Sequence, residues 1–68
     1  MLKEGQIIYV RPHPYFSEWY AGKITLIGIE VEVSYIDHEG ISHFFNFYRD
    51  GWEEDGQVSL TDLGELTL

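Results

Sequence analysis

The feature that most constrains this chain is a run of strict alternation. Residues 29–36 read Ile-Glu-Val-Glu-Val-Ser-Tyr-Ile, which sets Ile29, Val31, Val33 and Tyr35 on one side of an extended segment and Glu30, Glu32 and Ser34 on the other. A period of two is the mark of a strand with one dry and one wet face. Glu30 and Glu32 then mark the face turned to solvent, where carboxylates keep an exposed strand soluble.

The same period governs the neighbours. Residues 19–27 read as a strand, and Gly28 is the tight link that makes a hairpin with the alternating run. Residues 6–11 form a short strand, apolar on both faces and stopped by Pro12 and Pro14, which cannot donate to a ladder. Asp37, His38, Glu39 and Gly40 form a polar turn, after which residues 41–48 supply a fourth strand. There Ile41, His43, Phe45 and Phe47 share one face and Ser42, Phe44, Asn46 and Tyr48 the other, so rings on both sides call for cover twice. Trp52 is placed to fold back over Phe44 and Tyr48 as a lid or to stand out as an anchor. Residues 49–56, with four acids and two glycines, read as a loop. Residues 58–60 begin a last strand, and Thr61 is placed to cap a single helical turn through Asp62 and Leu63.

These elements predict an all-β fold, a small five-stranded antiparallel barrel formed by residues 1–68 as a single domain, with an extra acidic loop between the fourth and last strands. Closure, or near closure, is expected because it removes the edges that an open sheet of this size leaves. A chain this short buries only about 60% of the surface that its unfolded form exposes. Without cysteine there is no disulfide to help, so the eleven aromatic residues must carry much of the core.

The charge excludes some functions. Twelve carboxylates against Lys3, Arg11, Lys23 and Arg49 give a net charge of −8, which repels a phosphate backbone, so no direct nucleic-acid binding is expected. No stretch approaches the roughly 20 apolar residues that span a bilayer, and no leader-like segment is seen, so no membrane partner and a cytoplasmic location are expected.

Several stretches together are similar to a known family. Gly5 before the first strand, then Trp19-Tyr20-Ala21-Gly22-Lys23-Ile24, then residues 31–40, and finally Val58-Ser59-Leu60-Thr61-Asp62-Leu63 resemble a Tudor-type, SH3-like barrel across about four fifths of the chain. The resemblance implies a site for methylated lysine or arginine, held by ring faces that attract an alkylated cation. It implies Tyr20 and Tyr35 as walls and Asp37 as their polar partner, with Tyr15 or Phe16 of the first loop as a further wall. His38 stands where the family commonly carries another aromatic.

Other chemistry finds less support. His38 and His43 with Asp37 and Glu39 are possible zinc donors, but their spacing matches no ligand pattern, and no metal or cofactor is expected. The serines stand in no nucleophile motif and no glycine-rich phosphate loop precedes a helix, so no catalytic residue is assigned. Asp50, Glu53, Glu54 and Asp55 form an acidic cluster that either solubilises the chain or draws in a basic partner. The expected function is therefore a non-enzymatic module that binds a basic protein or peptide, with Tyr20, Tyr35, Asp37 and Trp52 as contacts. One alternative is a small acidic inhibitor, of the kind some phages encode, that mimics nucleic-acid charge to block a nucleic-acid-binding enzyme. Another is a homodimer formed through residues 41–48.

Overall fold

The computed structural model describes residues 1–13 and 18–61. Among these residues five strands follow one another: β1 (Ile7–Val10), β2 (Tyr20–Ile27), β3 (Glu30–Ile36), β4 (Ser42–Tyr48) and β5 (Val58–Ser59), with a single 3-10 turn at Trp52–Glu54 before the last. They form one antiparallel sheet in the order β4-β3-β2-β1-β5, curled into a half-barrel. Full closure does not occur among the described residues, since β4 and β5 are the two ends of the sheet and are not bonded to each other, while the curled half-barrel is consistent with the small β-barrel expected. The expectations placed on Tyr15 and Phe16, and on the turn through Asp62 and Leu63, lie outside the described residues.

Alternation decides what the concave face holds. Ile8 and Val10 of β1, Ile24 of β2, Val31, Val33 and Tyr35 of β3, Phe47 of β4 and Val58 of β5 make the buried core, so every strand contributes. Leu2, Tyr20, Ile27, Phe45 and Trp52 pack around its margin. Removing this much apolar surface from water is the main favourable contribution in so small a fold, at about 25 cal/mol per Å².

Two details of the sheet could not be read from alternation. Ile29 was expected on the dry face with Val31, yet it is 81% exposed. The strand begins only at Glu30, and Ile29 lies in the link between β2 and β3, where the parity of the strand no longer applies. In β2, a bulge lies between Ile24 and Leu26, which pair with Val33 and Glu32. The extra residue turns Leu26 outward and returns Ile27 to the core margin. The Thr25 hydroxyl seals the irregularity, donating to Glu32 Oε1 at 2.8 Å with the Glu32 carbonyl oxygen at 3.2 Å.

Arg11 ties the last strand to the first. Its backbone N–H donates to the Gln57 carbonyl at 2.7 Å and its guanidinium donates to the Gly56 carbonyl at 3.0 Å, while Gln57 Nε2 returns a bond to the Arg11 carbonyl at 3.0 Å. The guanidinium carbon also lies 5.5 Å from the Trp19 ring centre, within cation–π range. Trp19 thus has a structural partner in Arg11.

Candidate functional site

The polar turn after β3 builds the site. Asp37 Oδ1 accepts the backbone N–H groups of Glu39 and Ile41, each at 2.9 Å, and Gly40 closes the turn with a φ of +84°, a conformation that glycine adopts without steric cost. With the turn fixed, the register follows, and Tyr35 comes opposite His43 and Gly22. Asp37 Oδ2 lies 2.7 Å from His43 Nε2, a charge-assisted pair whenever the imidazole is protonated. Both oxygens of Asp37 are therefore engaged within the chain. That hydrogen bond, together with the donated backbone N–H groups, holds the carboxyl below the usual aspartate range.

On this frame four rings stand in a row. His38 lies 4.9 Å from Tyr20, Tyr20 lies 5.1 Å from Tyr35, and Tyr35 stacks on His43 at 5.2 Å with 22° between the planes. Glu18 closes the outer end, accepting from the Tyr20 hydroxyl at 2.8 Å and lying 3.4 Å from His38 Nε2. The bond to Glu18 pushes the Tyr20 phenol above its ordinary value, and burial does the same to Tyr35 with a smaller push from Asp37. Gly22 makes room for the row. A Cβ there would lie 2.5 Å from Val33 Cγ1, so a side chain at this position would displace β3 beneath Tyr35.

The expected contacts do not all meet. Tyr20, Tyr35 and Asp37 are brought together at the β3–β4 turn. Trp52 is not with them: its ring packs 6.3 Å from Phe47, which pairs with Val31, four residues along β3 from Tyr35, roughly 13 Å away at 3.3 Å per residue. Nor does Trp52 cover Phe44 and Tyr48 as a lid. It sits on the inner side of β4 with Phe47, and Phe44 and Tyr48 on the outer side are each 67% exposed. Trp52 instead borders a cavity of about 440 Å³, together with Met1, Leu2, Ile27 and Arg49.

Tyr20 and Tyr35 are also too close to hold a cation between them. Their separation is that of rings in mutual contact, and Tyr35 is only 7% exposed. The row is most open at its outer end, beside Tyr20, where the side chains of His38 and Glu18 are 69% and 58% exposed, against 41% for His43 at the other end. His38 stands at the position where the resemblance expects a further aromatic, whereas His43 enters the sequence reading as a strand residue and a possible metal donor, and Glu18 has no place in it. The place of His43 follows once the turn is centred on Glu39, because that register sets residue 43 against residue 35. Glu18 lies before β2, and no periodic signal marked it.

The acidic cluster lies elsewhere. Asp50, Glu53, Glu54 and Asp55 are all exposed on the connection between β4 and β5, with Glu53 and Glu54 in the 3-10 turn. Among the described residues no salt bridge engages any of them. No group of His, Asp or Glu among the described residues could hold a metal ion, and no helix there is long and apolar enough to cross a membrane. Comparison with protein-family models, with curated proteins and with solved structures returned no match.

Proposed function

We infer that the chain is a non-enzymatic binding module of SH3-like, Tudor-type architecture that takes a basic segment of another protein at the outer end of the ring row. The observation that carries this reading is the juxtaposition of Tyr20 and His38 with the Glu18 carboxylate on a surface of net charge −8. A lysine or arginine head set beside Glu18 gains Coulomb attraction and contact with the ring faces. Methylation of that head strengthens the contact, because an alkylated cation loses less hydration on leaving water. Asp37 supports the site from behind rather than touching the cation, since its oxygens are engaged by the turn and His43.

The test is titration with lysine- and arginine-rich peptides, methylated and unmodified, followed by amide chemical shifts. Tyr20→Ala should weaken binding about tenfold, the loss of one partly desolvated cation–π contact. Glu18→Gln should weaken it and flatten its salt dependence. Unchanged affinity in both variants would dismiss the reading. Tyr35→Ala is the poorer probe, because Tyr35 belongs to the core.

A second reading has its own support. Four exposed carboxylates without an ion pair among the described residues, at Asp50, Glu53, Glu54 and Asp55, offer a group of anions to a protein whose groove normally takes nucleic acid. That reading expects capture to fail when Glu53, Glu54 and Asp55 are neutralised together, with Tyr20→Ala harmless.

A further inference from the structure

Strand β4 is a sheet edge that lacks the usual protection. Its partner on one side is β3, and no strand lies on its other side among the described residues. Asp37 N–H bonds to the Ile41 carbonyl and Arg49 N–H to the Ile29 carbonyl, each at 3.0 Å. The pairs Val31 with Phe47, Val33 with Phe45 and Tyr35 with His43 are in phase with those bonds. In an antiparallel ladder the intervening residues then turn both backbone groups away. Ser42, Phe44, Asn46 and Tyr48 thus present a row of free donors and acceptors along the edge. The same four residues carry the two large rings exposed on the outer face.

Natural sheets blunt such edges with lysine, proline, bulges or very short strands. At the other end of the sheet β5 is two residues long, which is one of these devices. Strand β4 uses none: it has seven residues, pairs with β3 without a break in register, and contains no Lys, Pro, Asp or Glu. In a chain of net charge −8, that neutral stretch chooses the partner. A basic segment finds no counter-charge within β4 itself, the nearest on its outer face being Glu30 and Glu32 across on β3, whereas an uncharged strand brings no like charge to the seam.

We propose that the occupant is the β4 strand of a second copy of this chain, paired antiparallel about a two-fold axis at Phe45. In this register Ser42 lies opposite Tyr48 of the second copy and Phe44 opposite its Asn46. All four outward-turned residues of each copy are then hydrogen-bonded across the seam. The two Phe44 rings become diagonal neighbours with the Tyr48 rings beside them, within reach for aromatic contact. The interface is isologous and closes as a dimer. The carboxylates nearest in sequence, Glu39 and Asp50, fall beyond the two ends of β4. This dimer leaves the Tyr20 and His38 end free, so it stands or falls independently of peptide binding there.

Sedimentation equilibrium of the full chain over a range of concentrations tests it, together with amide hydrogen exchange at the same concentrations. The expected result is a mass rising from 8.0 kDa toward twice that value, with the amides of Ser42, Phe44, Asn46 and Tyr48 protected only where the dimer forms. Phe44→Lys should hold the chain as a monomer with unchanged circular dichroism. Asn46→Pro should do the same, because it removes an N–H that faces away from β3. If Asn46→Pro fails to fold, Phe44→Lys and the exchange pattern still decide. A wild type that stays at 8.0 kDa at its highest concentration overturns the proposal. So does a monomer in which those four amides are already protected, since another part of the chain would then cover the edge. A dimer that survives Phe44→Lys with the four amides exchanging freely overturns it too.

Discussion

Gly22 shows how one residue sets the geometry of the rim. It lies on the concave face between Tyr20 and Ile24, and a methyl group there would come within 2.5 Å of the fully buried Val33 side chain and 3.0 Å of the Ser34 carbonyl. Backbone cannot yield as a flexible side chain would, so Gly22→Ala should cost about 1–3 kcal/mol, the usual range for overpacking, read from the urea midpoint. Asp37 makes a different prediction. Its folded pKa lies below the unfolded one, through the His43 bond first and then the backbone N–H groups. Its contribution is therefore complete above the unfolded value of about 4 and is lost as the pH falls through the depressed folded value. Asp37→Asn should leave stability less steep in that acid range, and carboxyl titration by NMR should place Asp37 below the ordinary aspartate value of about 4. An Asp37 that titrates at that ordinary value would dismiss this account of the turn.

At the scale of elements, strands proved easy to read and faces less so. The alternation of β3 and the two-sided aromatics of β4 were legible because a strand writes its environment into every second residue. The face of β2 was not, because one inserted residue reverses the parity, and nothing in Ile-Thr-Leu-Ile announces a bulge. Its presence gives an unusual prediction. Deleting Thr25 would join Ile24 directly to Leu26, leaving Ile24 opposite Val33 and Leu26 opposite Glu32 as they already are. That variant should stay folded with a core close to the wild type. Deleting Lys23 instead turns Gly22 and Tyr20 to the outer face and should abolish the cooperative urea transition. Equal effects of the two deletions would contradict the register. The site was legible in the same uneven way. Tyr20, Tyr35 and Asp37 meet because strand pairing places them, whereas Trp52 sits in a connection whose path no periodicity fixes, and it packs on Phe47.

For the whole molecule the governing fact is charge. With twelve acids and four basic side chains, the folded chain repels itself, and salt should raise its stability modestly by screening that repulsion. The same salt should weaken capture of a basic peptide. Opposite trends in stability and affinity are thus expected, checked by urea midpoints and peptide titrations at low and high ionic strength. Affinity that resists salt would move the weight from charge to the rings. A half-barrel with one short and one long edge also leaves the ring row at the turn and the outer margin of β4 as two separate surfaces.

The most direct measurement is an amide and side-chain chemical-shift titration of the isotopically labelled chain with a trimethyllysine peptide. The account predicts shifts centred on Glu18, Tyr20 and His38, reduced by Tyr20→Ala and larger than those from the unmodified peptide. Shifts confined to Asp50, Glu53, Glu54 and Asp55, or the same with and without methylation, would contradict it.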